Sequence, residues 1–153
     1  MLADGDVHCV LIGGLAAAAH GSIRTTRDVD VVYERSEENL SRLALSLEPH
    51  SPYLRGAPPG LPFRLDIPTL RAGLNFTLTT NLGELDLLGE VSGGGRYSDL
   101  VSHSRELFVY GVRCLCVDLP TLIATKRAAG RPKDLEAIAE LEALREEIGR
   151  DRS

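Results

Sequence analysis

The chain has 153 residues, 43% of them hydrophobic and 25% charged, with a net charge of −5 at pH 7. That size and apolar content suit one domain, residues 1–153, with a core of its own, and exclude a chain disordered throughout. The acidic excess argues against an extended nucleic-acid footprint, which needs many Lys and Arg at phosphates, while the absence of an apolar run near the roughly 20 residues of a membrane span, and of a signal-like opening in MLADGDVHC, makes the cytoplasm the expected compartment.

Residues 7–12 are apolar and predict a first strand, followed by Gly13-Gly14 and an alanine-rich helix. Glycine lets the backbone approach a ligand closely, and the N–H groups that open a helix attract negative charge, so the pair suits phosphate. His20 precedes a turn and reads as structural. A polar turn then carries Ser22, Arg24 and Arg27, and residues 28–33 predict a second strand. Side chains two apart on a strand share a face, so Asp28 and Asp30 present two carboxylates together. Such a pair repels unless a cation sits between, and hard oxygen ligands suggest Mg²⁺ or Mn²⁺.

Further along, Ser36 predicts an N-cap with Glu37 and Glu38 in the first turn, and Leu40, Leu43, Ala44 and Leu47 recur at helical spacing. Residues 50–68, with Pro49 just ahead, hold most of the prolines and predict an irregular excursion near the mouth of the site. Residues 73–80 alternate apolar and polar, and residues 83–88 repeat the pattern after a turn at Asn81-Leu82, predicting two strands. Asp86 and Glu84 share a face of the second. A carboxylate between Leu85 and Leu87 is costly unless it has a partner.

Gly93-Gly94-Gly95 predicts a flexible loop, residues 98–104 a helix, and residues 107–110 and 112–117 a hairpin about Gly111. Asp118 caps a helix with Pro120 in its first turn, Gly130 ends it, and residues 132–148 predict a last amphipathic helix through Leu135, Ile138, Leu141 and Leu144. Lys126, Arg127, Arg131 and Lys133 make a compact basic cluster, which could equally be a solvated helix face. Asp134 reads equally well as a cap of the last helix. Cys9, Cys114 and Cys116 lie in strand-like runs and read as reduced thiols, since Cys114 and Cys116 are spaced too tightly for a usual zinc pair.

The ordered set of Gly13-Gly14, a spacer, and Asp28-Val29-Asp30 in a strand resembles the nucleotidyltransferase fold of the DNA polymerase beta superfamily. The wording GGLAAAAHGSIRTTRDVDVV is most similar to the small bacterial enzymes related to minimal nucleotidyltransferases and to the toxins of abortive-infection systems. Members often carry a helix before the first strand; with so few residues ahead of Val7, either this protein dispenses with it or the assigned start lies too far downstream. The resemblance implies an α/β fold, a small mixed twisted sheet flanked by helices with a C-terminal helical pair. It implies transfer of an NMP from an NTP, such as ATP, to an acceptor hydroxyl with release of pyrophosphate.

By the same resemblance Asp28, Asp30 and Asp86 are the catalytic carboxylates and ligate Mg²⁺ or Mn²⁺, with Asp86 also the general base and Glu84 its competitor. The Gly13-Gly14 backbone holds phosphate, and one or two of Ser22, Arg24 and Arg27 add contacts. The stretch LIATKRAAGRPKDLEAIAEL extends the likeness: Lys126 and Arg131 reach the nucleotide phosphates and Asp134 orients one of them. Implied partners are the NTP, a tRNA, protein or small-molecule acceptor, and a cognate toxin or antitoxin, with no membrane. Three other readings stay open: a partner-binding member of a toxin–antitoxin pair, a metal-dependent phosphohydrolase, and a toxin modifying tRNA through the basic cluster.

Overall fold

The computed structural model describes residues 2–22 and 28–151. Within them seven strands and six α-helices form a mixed α+β fold. The first strand, β1 (Cys9–Ile12), runs straight into α1 (Gly13–Ala19), and β2 (Val29–Tyr33) returns antiparallel to it. Next come α2 (Glu37–Leu47), the two-residue β3 (Tyr53–Leu54) and α3 (Ile67–Ala72). A hairpin of β4 (Phe76–Thr80) and β5 (Gly83–Leu88) precedes α4 (Tyr97–Leu100), and a second hairpin, β6 (Ser104–Val109) and β7 (Val112–Val117), leads into α5 (Leu119–Ala129) and α6 (Pro132–Asp151).

The sheet order is β3-β4-β5-β2-β1-β7-β6. Strand β2 is central, parallel to β5 and antiparallel to β1. This order follows from burial: Val10, Val32, Tyr33 and Leu87 are wholly buried, and apolar strands of that kind belong in the middle. Removing such a side chain from water contributes about 1.5–3 kcal/mol each. Helix α2 buries Leu40, Leu43 and Leu47 and packs on α3, while α5 packs on both α1 and α6. No helix among the described residues is long and apolar enough to cross a membrane.

Local chemistry sets most boundaries. The hydroxyl of Ser36 accepts from the Asn39 N–H at the start of α2, and Asp118 does the same for Thr121 at the start of α5. Gly130 closes α5 in the left-handed region with φ 65°. Tyr110 and Gly111 both have positive φ, the geometry that a two-residue hairpin turn needs.

Several expectations are corrected. Residues 50–68 are not wholly irregular: β3 pairs with β4, and α3 begins at Ile67 with Pro68 in its first turn, where the missing N–H costs nothing. Asp66 caps α3 by accepting from Thr69 N, and Arg35 donates to the carbonyls of Leu70 and Arg71 at its far end. The strand expected over 73–80 starts only at Phe76, because Gly73 still bonds back to Thr69 O as the close of α3. The helix expected over 98–104 is one turn of α4 followed by a 3₁₀ turn, Val101–His103, with Ser104 already in β6.

The glycine triplet is no open loop. A Cβ at Gly93 would lie 2.6 Å from Ala124 O of α5, so the loop is pressed against that helix. The face of α6 is also shifted: Ile138 and Leu141 are buried, but Leu135 is 57% exposed and Asp134 is buried in its stead.

Candidate active site

The register of the sheet aligns the acidic residues in one row. Ile12 lies opposite Asp30, Asp30 opposite Asp86, and Asp86 opposite Thr77. Parallel neighbours in register point to the same face, so the Asp30 and Asp86 carboxylates meet directly. They share a hydrogen bond, and burial first, then that bond and the negative charge of Asp86 and Asp28, push Asp30 up to about 7. Lys126 works against the rise. Glu84 is held above the usual carboxylate range, first by a hydrogen bond with Asp28.

Gly13 opens α1 beside this pair. Its φ is 72°, and a Cβ there would collide with Asp30 Oδ2, so only glycine allows the backbone and the carboxylate to coexist. The backbone therefore approaches an acid here. Ile12, the residue before α1, offers no side-chain cap to the first turn of that helix.

A cleft of about 400 Å³ opens over the row. Gly13, Gly14, Ser22, Asp28, Asp30, Asp86, Lys126, Arg131 and Asp134 all line it, so residues from opposite ends of the chain converge. Thr125, Lys133 and Glu140 complete its polar wall. Ser22 Oγ donates to Glu140 Oε1 at 2.8 Å, which ties the segment after α1 to α6. Arg24 and Arg27 lie outside the described residues.

The basic wall is built around Asp134. Its side chain is 1% exposed and accepts from Arg131 three times: from Nε at 2.6 Å, from Nη2 at 3.2 Å and from the backbone N–H at 3.2 Å. Those bonds hold its carboxyl below the ordinary range. Lys126 Nζ stands 3.9 Å away and is only 20% exposed. Capping and orientation are thus one arrangement: the carboxylate that accepts the N–H opening α6 also fixes two cations on the cleft wall.

One residue of weight lacked any sequence signal. Arg55 places Nη2 2.9 Å from Asp86 Oδ1 and Nε 3.5 Å from Glu84 Oε1. Glu84, in contrast to Asp86, does not line the cleft. His20 also lies away from it, bonding through Nε2 to Val117 O at 2.7 Å and so tying the end of α1 to β7. The three cysteines are free; burial pushes Cys9 and Cys116 up to about 12, which leaves inert thiols.

Asp28, Asp30 and Asp86 line the acidic end of the cleft, crowding and burial there push Asp30 up to about 7, and Asp86 Oδ1 is buried without a hydrogen bond. Hard oxygen donors in that state fit Mg²⁺ or Mn²⁺. Among the described residues, however, no group of three His, Cys, Asp or Glu side chains is arranged to hold a metal ion. Asp86 Oδ1 lies 2.9 Å from Arg55 Nη2.

No family model matches the chain, and no curated protein matches it.

Proposed function

We propose that the chain is a metal-dependent nucleotidyltransferase with a nucleotidyltransferase-like fold, moving an NMP unit from an NTP to an acceptor hydroxyl and releasing pyrophosphate. The observation that carries the reading is the convergence, in one cleft, of the Asp30–Asp86 pair, the Gly13 backbone and the Lys126–Asp134–Arg131 wall. An acidic end and a cationic end in a single cleft suit a ligand that is itself divided, a polyphosphate with metal at one end.

Asp28, Asp30 and Asp86 would hold Mg²⁺ or Mn²⁺, which when bound supplies Lewis acidity at the phosphoryl oxygens and lowers the acceptor pKa. Lys126 and Arg131 hold the non-transferred phosphates. Asp134 keeps both cations oriented, so little ordering remains to be done when the triphosphate arrives. Asp86 accepts the proton of the acceptor hydroxyl; the new bond forms from that oxygen to the α-phosphorus, and the α–β bridging oxygen leaves with pyrophosphate.

Incubation of the protein with each α-labelled NTP, Mg²⁺ and a cell extract tests the reading. Label should pass to a macromolecule or small acceptor with stoichiometric pyrophosphate. Release of inorganic phosphate with no labelled acceptor would replace transfer by phosphohydrolysis.

A further inference from the structure

Arg55 follows the edge strand β3 and reaches the acidic row across two strands. Its backbone N–H donates to Thr77 O at 3.0 Å, and Thr77 is the register partner of Asp86. Its Nη2 donates to Leu78 O at 2.8 Å, which pins the guanidinium in place. There it touches both acids of β5, Asp86 at 2.9 Å and Glu84 at 3.5 Å.

The fit is incomplete. Arg55 Nε and Asp86 Oδ1 are both buried, and neither has a hydrogen-bond partner. The charges meet while the planar donor fork is misaligned, so the pair is held by Coulomb attraction without the directional bonds that make Arg–carboxylate pairs strong. Glu84, 46% exposed, offers a second anion on the Nε side of the same guanidinium.

We propose that Arg55 is a built-in counter-cation and positioning residue: it neutralises Asp86 while the site is empty of metal, and it hands Asp86 over, settling on Glu84, as the divalent cation binds. The inference rests on the metal-dependent reading above. It accounts for a cleft that gathers the carboxylates while Asp86 Oδ1 is engaged by Arg55. Displacing an internal cation weakens apparent metal affinity by the fraction of molecules in which Asp86 is already released.

Calorimetric titration of Mn²⁺ alone into the full chain tests it, with wild type, Arg55→Gln and Arg55→Lys compared. Arg55→Gln should bind Mn²⁺ roughly tenfold tighter than wild type, and Arg55→Lys, whose compact ammonium cannot span both acids, should fall between them. Mn²⁺ should also raise the melting temperature of Arg55→Gln by more than it raises that of wild type. If Arg55→Gln does not fold, the Arg55→Lys titration decides, with tighter binding expected. Equal or weaker affinity in the variants, with clear binding by wild type, overturns the hand-over alone; no binding by any of the three overturns the metal site with it.

Discussion

Asp30 shows the cost of crowding carboxylates. Its folded-state value of about 7 lies above its ordinary value of 3.8, so between those two pH values the folded protein binds more protons than the unfolded chain. The stability it contributes is whole below about pH 4 and lost as the pH rises through 7. In EDTA the protein should therefore unfold more easily at pH 8 than at pH 5.5, by about 2 kcal/mol at most. Asp30→Asn should flatten that slope, and equal slopes in urea titrations of the two proteins would remove Asp30 as its source. The roles of the acids separate by a second pair of measurements. Asp86→Asn keeps the size of the side chain but cannot take a proton, so transfer should collapse while NTP binding survives. Asp30→Asn, at the centre of the row, should impair both. If Asp86→Asn transfers nucleotide at the wild-type rate and Glu84→Gln does not, the base is Glu84. That Asp86 belongs with Asp30 was suggested by the family likeness alone, since strand alternation pairs Asp28 with Asp30 and Glu84 with Asp86. Arg55 was not, because a lone arginine among prolines carries no local pattern; its meaning comes from the β3–β4–β5 register, a property of pairing between distant segments.

Elements that depend on their own neighbours in sequence were readable, and those that depend on a distant surface were not. The caps of α2 and α5 and the β4–β5 hairpin follow from Ser36, Asp118 and the Asn81-Leu82 turn, each satisfying backbone groups within a few residues. The glycine triplet, in contrast, owes its form to α5, and the far end of α3 is held by Arg35. Asn39 is a further case. It is fully buried on α2, accepts from His8 N at 2.7 Å, and donates to His8 O at 3.0 Å and Glu34 O at 2.7 Å. It thus clamps α2 to the backbone flanking β1 and β2, and so supports the strands that carry Ile12 and Asp30. Asn39→Ala would take their side-chain partner from His8 N and Glu34 O, while His8 O keeps its bond from Glu34 N. A loss of roughly 2 to 4 kcal/mol is expected in chemical denaturation, and a loss below about 0.5 kcal/mol would show that water replaces the amide.

Across the whole molecule the balance of charge sets a further requirement. A chain of net charge −5 whose cleft holds Asp28, Asp30 and Asp86 repels a triphosphate, and Lys126 and Arg131 are already partly neutralised by Asp134. Neither end of the cleft therefore attracts an NTP strongly by itself. Divalent cation at the acidic end changes the sign of that end and lets the two walls act on one ligand. Calorimetric titration with NTP should give little heat in EDTA and a clear isotherm with Mg²⁺; equal affinity in both would sink the metal-dependent reading. The same titration separates the two walls. Lys126 is mostly buried beside Asp134, so Lys126→Ala costs some stability, but Asp134 keeps its three bonds from Arg131 and the loss should stay near 1 kcal/mol. If the lysine also meets phosphate, its removal should weaken Mg²⁺-dependent NTP binding by roughly tenfold, the scale of one charge-assisted contact. A variant with full NTP affinity and only the stability loss would make Lys126 a partner of Asp134 and leave the phosphates to Arg131.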